Sequence, residues 1–428
     1  MSERRATVVG AGLAGLGAAV AFARAGVRVA ISDAALRAGG RCRSYPDPTL
    51  GLTIDNGNHL VLAGNAAVAD FRAAVGAKLP LAGPRHADFA FADCAAGTAW
   101  RIAINDGRLP WWIAAGSRRV PGTRIGDYLP LRRLLAADSG TIGDHLRPEG
   151  AVWTQLLRPV LLAALNTEPE DASARLAGAV LRETLGRGGA ACAPRVAVPG
   201  LGAAFIDPAL GWLARHGAPL ATGRRLRGLG FSGDVVSRLA WSDGEQRIHR
   251  GEVVVLAVPP WIAAELVPQL CVPDAHRAIV NAHFAVPLPR GAPSILGVLG
   301  ATSEWIFGHT DRVSVTVSAA DRLLDAPREA LAARIWEEVR AALALAGGAP
   351  LPAPLPAWQI VKERRATFAA TPAQDARRPV ARTRWRNLFL AGDWVQTGLP
   401  ATIEGALRSG DNAARLAMRQ PLRYGPQQ

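Results

Sequence analysis

Three short stretches hold residues whose types and spacing can do chemistry. Gly10, Gly12 and Gly15 form G-x-G-x-x-G directly after the β-branched run Thr7-Val8-Val9. At that spacing the first glycine permits a tight strand-to-helix turn. The second lets the backbone approach a pyrophosphate, and the third lets the helix pack on the strand. Leu13 and Ala14, inside the motif, are further candidates to meet the cofactor, with the N-terminal N–H groups of the following helix facing the anion. Asp33 ends the next strand, where a βαβ unit presents an acid to a ribose hydroxyl. The second stretch, Asp55-Asn56-Gly57-Asn58-His59, puts a carboxylate and an imidazole in one turn. Either can move a proton, but the aspartate must be raised from about 4 whereas the histidine starts near 6.5. His59 is therefore the preferred proton donor and Asp55 takes an orienting role. The third stretch is an apolar strand from Asn387 ending in Gly392-Asp393, with a helix opening after Ala401-Thr402-Ile403.

The elements that must position these groups follow from pattern. An alanine-rich helix over 16–25 is stopped by Gly26, and residues 27–31 alternate as a strand, completing a βαβ unit. Residues 223–229 and 235–241 read as paired strands, with Leu226 a candidate to meet an adenine. Residues 251–261 read as a buried strand closed by prolines. The intervening stretches, rich in proline and tryptophan, break this pattern. The expectation is an α/β chain with a discontinuous dinucleotide-binding domain (1–80, 194–261, 376–428). It is interleaved with an α+β substrate domain (81–193, 262–375). The second insertion holds an expected strand pair, 294–298 with 313–317, and an amphipathic helix over 328–345.

Gly39-Gly40-Arg41 resembles the second half of the fingerprint of the FAD-dependent amine oxidase and phytoene desaturase superfamily, which implies FAD as cofactor and Arg41 at its phosphates. Four further segments narrow the resemblance to the squalene-associated FAD-dependent desaturases, the hydroxysqualene dehydroxylases. They are the 55–59 turn, with Asn58 where the family has glutamine; Ala164-Leu165-Asn166-Thr167; Glu363 to Phe368 with Thr371-Pro372; and Gly392-Asp393-Trp394 with Thr397 to Ala406. The resemblance implies that Asn56 and Gly57 run under the flavin ring. It also implies that Asp393 meets the ribityl chain and that the helix start at Thr402 faces the pyrimidine edge, where its dipole favours negative charge. The implied activity is reductive removal of an allylic hydroxyl from a C30 isoprenoid to give squalene, feeding hopanoid synthesis. Phytoene-type desaturation, amine oxidation and FAD-retaining isoprenoid carriage remain alternatives. Amine oxidation is disfavoured because neither of the two lysines, Lys78 and Lys362, falls beside a flavin motif.

Composition bounds the rest. The 428 residues carry 49 basic and 35 acidic groups, a formal charge of +14. No basic-aromatic nucleic-acid module is visible. Arg108 to Ile113 with Arg118-Arg119, and the run Arg377 to Arg386 around Trp385, instead set tryptophans among cations, a composition suited to peripheral membrane contact. Four widely separated cysteines form no zinc or disulfide framework, and no metal is expected. With no run approaching the ~20 apolar residues that span a bilayer, a cytoplasmic location is expected, with any membrane contact peripheral.

Overall fold

The computed structural model describes residues 4–419; residues 1–3 and 420–428, assigned above to the dinucleotide-binding domain, lie outside the described residues. Five parallel strands form the first sheet, in the order Leu220–Ala221, Arg28–Ser32, Arg5–Val9, Glu252–Leu256 and Leu388–Leu390. Its central strands are buried on both faces, which is why they read as unbroken runs such as Val253-Val254-Val255 rather than as alternation. Two helices, Leu13–Arg24 and Ile403–Met418, pack closely beside this sheet. They approach so tightly that a Cβ on Gly410 would lie 2.1 Å from the Ala14 carbonyl oxygen.

A second sheet of seven strands is built from both insertions. It runs Trp358–Phe368, His276–Phe284, Val313–Val317, Trp305–Gly308, Ile295–Leu299, Asp88–Asp93 and Thr98–Ala103. All neighbours are antiparallel except Ile295–Leu299 with Asp88–Asp93. The helix Arg328–Leu345 covers one face. Its buried Leu331, Ile335, Trp336, Val339 and Leu343 recur at three- and four-residue steps and meet Val280, Ala282, Ile306, Val315 and Val317 of the sheet. The alternate residues Asn281, His283, Ser314 and Thr316 occupy the other face.

One sequence expectation is corrected here. Residues 294–298 and 313–317 do not pair with each other, because Trp305–Gly308 lies between them and pairs with both strands. That four-residue strand is too short to show a period. Pro159, which looks like a helix breaker within an apolar helix, directly follows a π turn, Trp153–Leu157, in a helix continuous over 151–165, and the widened turn accommodates its ring and missing N–H.

Candidate cofactor and active site

The glycine turn separates into two kinds of position. Gly10 has φ of +106°, and a Cβ there would lie 2.3 Å from the Ala257 oxygen; at Gly15 it would lie 1.9 Å from the Gly10 oxygen. Both glycines are demanded by the fold itself. Gly12 differs: its φ is an ordinary −72°, and a Cβ would meet nothing within 4 Å. Open space beside an unstrained glycine at a helix start is a cradle that fits a pyrophosphate. Gly40, at φ +55°, borders the same space, with its Cβ position 3.5 Å from the Gly12 Cα. The two turns are joined by a bridge between Gly12 and Gly39.

Around this cradle stand the ionic groups. Arg41 pairs with Asp393 at 2.6 Å and donates to the Ala366 carbonyl at 2.6 Å. Burial works to lower the Arg41 pKa, but the Asp393 charge and hydrogen bond outweigh it and the net shift is upward. The Arg41 side chain nevertheless keeps 40 % accessibility against 9 % for Asp393, so its guanidinium borders free volume. Asp33 is committed to backbone: one oxygen accepts the Ala11 N–H at 2.6 Å and the other the Ala35 N–H at 2.8 Å. Its first role is to fix the glycine turn, so a ribose hydroxyl must share an oxygen already in use. Leu226 is buried at the start of the strand Leu226–Ser232, near Arg224, whose N–H bonds the Asp33 carbonyl.

Asp393 itself is placed by a residue of the basic run read above as a membrane-contact composition. Arg378, fully buried, pairs with Asp375 at 3.1 Å and donates to the carbonyls of Asp393, Trp394 and Val395. Gly392 leads into this turn; a Cβ there would lie 2.5 Å from the Trp394 indole nitrogen. Thr402 caps the helix Ile403–Met418, its hydroxyl accepting the Gly405 N–H at 3.0 Å, with Ala401 just before it. Glu404, inside the same motif, turns away from this end. Its carboxylate accepts the N–H groups of Ala67 and Val68 at 3.1 and 3.0 Å, capping the helix Ala66–Val75.

The 55–59 turn is pinned to the seven-stranded sheet. Asn56 donates to Glu363 at 3.0 Å, and the Asn58 amide donates to Thr316 Oγ1 at 3.1 Å and to Asn281 Oδ1 at 3.4 Å. Thr316 in turn donates to Asn281 Oδ1 at 2.9 Å. Gly57 lies against this network, its Cβ position 3.2 Å from Asn281 Nδ2. Asn281 and Thr316 are invisible to sequence reading as site residues, whereas Glu363 opens a segment that carries the family resemblance but has no partner assigned by it.

Asp55 is a fastener. Its carboxylate accepts from Ser44 Oγ and from the Leu201 N–H at 3.0 Å. Burial pushes its pKa up against those two bonds. His59 is pushed down to about 4, first by burial and then by the Arg41 charge, with Asp393 and the Arg41 carbonyl opposing. At that value an imidazole is neutral near pH 7 and offers an N–H hydrogen bond rather than a labile proton. Glu304, missed by sequence reading, goes the other way. Burial raises it to about 7 although its oxygen accepts the Ser318 N–H at 2.7 Å. Asn166 ends the helix Arg158–Leu165 at φ +47°. It ties that end to Thr367 at 2.9 Å and to the Ala319 N–H at 2.7 Å, a structural junction. Lys362 points elsewhere, donating to the carbonyls of Leu324 and Ala326.

A parallel sheet with this phosphate cradle, tied through Arg41 and the Ala366 carbonyl to a largely antiparallel sheet, is the architecture of a flavoprotein oxidoreductase. The chain belongs to the flavin-containing amine oxidoreductase family, whose model matches residues 13–418. It is 51 % identical to the hydroxysqualene dehydroxylase of Rhodopseudomonas palustris over 96 % of this chain and 97 % of that protein. The corresponding protein of Zymomonas mobilis is 45 % identical, over 96 % and 98 %. Among solved structures, an oxidoreductase from Methanosarcina mazei superposes with a TM-score of 0.70 at 12 % identity, covering 96 % of this chain and 100 % of that one. Putrescine oxidase superposes at 0.68 and 16 %, covering 98 % and 100 %. These two show the shared fold. The protein is an FAD-dependent oxidoreductase.

Proposed function

We propose that the protein removes the hydroxyl of hydroxysqualene to give squalene. The observation that carries this reading is 45–51 % identity, over nearly the whole chain, to proteins of that activity, together with a complete flavin cradle. FAD, when bound and reduced, supplies the hydride that replaces the hydroxyl. The balance is simple: the C–O bond breaks, a C–H bond forms at the same carbon, and the oxygen leaves as water after taking one proton.

The chain's own residues perform the rest. Gly12, Leu13, Ala14 and Gly40 leave room and N–H groups for the pyrophosphate, and Arg41 supplies positive charge beside it. Asp393, locked by Arg378 and paired with Arg41, stands beside the phosphates where the ribityl chain would leave them, and the Thr402 helix start would face the flavin end. The Asn56–Asn58 turn, pinned to Asn281, Thr316 and Glu363, closes the site on the substrate side. Neutral His59 orients the departing oxygen through its N–H. The departing oxygen takes one proton, and the carboxyl we propose as its source is Glu304, raised to about 7 by burial. Its carboxylate accepts the Ser318 N–H at 2.7 Å, just past the end of the strand Val313–Val317 that carries Thr316. The placement of both lysines away from the 55–59 turn argues against the amine-oxidising alternative.

The deciding experiment offers the protein two substrates anaerobically. Prereduced protein with hydroxysqualene should form squalene, whereas oxidised protein with a saturated-bond isoprenoid should form no new double bond. The opposite pattern assigns the desaturase alternative.

A further inference from the structure

Ten large apolar side chains are conspicuously exposed among the described residues, and five of them fall between residues 109 and 135. They are Leu109 (81 %), Trp111 (54 %), Ile125 (49 %), Leu129 (50 %) and Leu135 (38 %). The local fold explains why they face outward together. Trp112 is buried and packs edge-on against buried Tyr128, ring centroids 5.4 Å apart, while the Tyr128 hydroxyl accepts the Val120 N–H at 3.0 Å. This inner pair clamps the turns Trp111–Ile113 and Ile125–Tyr128 onto each other. Their outer neighbours Trp111, Ile125 and Leu129 are left in solvent. The expected interfacial pair is thus split: Trp112 is core and Trp111 is surface. The other expected basic-aromatic run fails altogether, since Trp385 is buried against Phe231 and Arg378 is spent on the 393–395 turn.

Charge is equally one-sided. Six arginines (Arg108, Arg118, Arg119, Arg124, Arg132 and Arg133) share residues 106–135 with two acids. Both acids are engaged: Asp106 meets His86 at 3.0 Å, and Asp127 accepts the Arg124 N–H at 2.7 Å. Arg118 stacks over the outward Trp111 at 4.7 Å, presenting ring and cation side by side.

We infer that residues 106–135 are the surface by which the protein docks on an anionic lipid bilayer. Apolar side chains of this size reach the acyl boundary while the surrounding arginines meet headgroup phosphates, the combination that peripheral binding requires. A nucleic acid would use the cations and leave the leucines unexplained. The inference rests on the proposed function only in supposing that a C30 hydrocarbon is taken from the membrane; the surface itself stands on exposure and charge.

The test is flotation of the FAD-loaded protein with vesicles of phosphatidylcholine alone or with about one third phosphatidylglycerol. Wild type should float with the anionic vesicles, less at high salt and weakly with the neutral ones. Leu109→Ser/Trp111→Ser/Leu129→Ser and Arg124→Gln/Arg132→Gln/Arg133→Gln should each bind at least about tenfold more weakly. Leu36→Ser/Val380→Ser, equally exposed elsewhere, should bind as wild type. Wild-type protein that stays with the soluble fraction, or patch variants that float unchanged, overturn the inference. So does self-association lost in the same variants without vesicle binding, which assigns the face to a second copy of the chain. Dehydroxylation of detergent-dispersed substrate, measured in parallel, should be unchanged in the patch variants and reports on the catalytic reading separately.

Discussion

Substituting alanine at two glycines of one motif should have opposite consequences. At Gly12 the backbone is unstrained and a methyl group meets no protein atom within 4 Å. Gly12→Ala should therefore leave the apoprotein folded, and by restricting the unfolded chain should stabilise it by about 0.4–1 kcal/mol. The same methyl intrudes on the space for the pyrophosphate. An overpacking cost of about 1–3 kcal/mol corresponds to roughly 5- to 150-fold weaker FAD binding, and Gly12→Val should lose the yellow chromophore outright. At Gly15 the methyl would sit 1.9 Å from the Gly10 carbonyl oxygen, a contact that backbone cannot relieve without moving the helix off the strand. Gly15→Ala should lower apoprotein stability as well as flavin content. The assay pairs denaturant melts of apoprotein with FAD titration by fluorescence quenching. If Gly12→Ala destabilises the apoprotein as much as Gly15→Ala, or keeps wild-type FAD affinity, the space beside Gly12 is not the phosphate site.

Glu404→Ala should cost about 2–3 kcal/mol of stability in denaturant melts, because two N–H groups at a helix start and Arg408 lose a buried acceptor; Glu404→Gln should cost less. Apoprotein should be acid-labile. His59, His283 and His309 are held at about 4, 3 and 4, below the ordinary 6.5, chiefly by burial. The unfolded chain therefore binds more protons, and their contribution, present above pH 6.5, is lost as pH falls. Glu304, raised to about 7, has the opposite sign: its contribution is full below about 4.5 and is lost as pH rises through 7. Three groups outweigh one, so melting temperature should fall between pH 6.5 and 4.5, and Glu304→Gln, by removing the opposing titration, should steepen that dependence in the direction of greater stability at pH 7. In single turnover, loss of the proton source typically costs about 10²–10⁴-fold. Glu304→Gln should show that loss and abolish a rate decline above pH 7. His59→Ala should slow the reaction while keeping the decline, and the reverse assignment of these two profiles would return the donor role to His59.

Much of the cofactor side was legible because it is local. The glycine turn, the Gly39-Gly40-Arg41 turn and the Thr402 helix start each complete their geometry within a few residues, so spacing alone announces them. The substrate side was not, because it is made by contacts across more than two hundred residues. Asn58 meets Asn281 and Thr316, and Asn56 meets Glu363. The strands that carry those partners alternate between a face packed on Arg328–Leu345 and a face turned to the site, and sequence shows the alternation without showing which face is which. The roles of Asp55 and Asp33 as backbone fasteners were hidden for the same reason: a carboxylate in a turn reads alike whether its acceptors go to ligand or to a neighbouring loop. Trp111 and Trp112 are adjacent in sequence with opposite fates, decided by Tyr128 sixteen residues downstream of Trp112.

The central claim is that a hydride replaces the hydroxyl of hydroxysqualene at the carbinol carbon. Prereduced protein mixed anaerobically with one equivalent of hydroxysqualene in D₂O tests it directly, because the transferable hydrogen of reduced flavin exchanges with solvent. Hydride transfer from the flavin should give one squalene per flavin reoxidised, carrying a single deuterium at the former carbinol carbon. Squalene without deuterium there, or flavin reoxidised with no squalene formed, would contradict it.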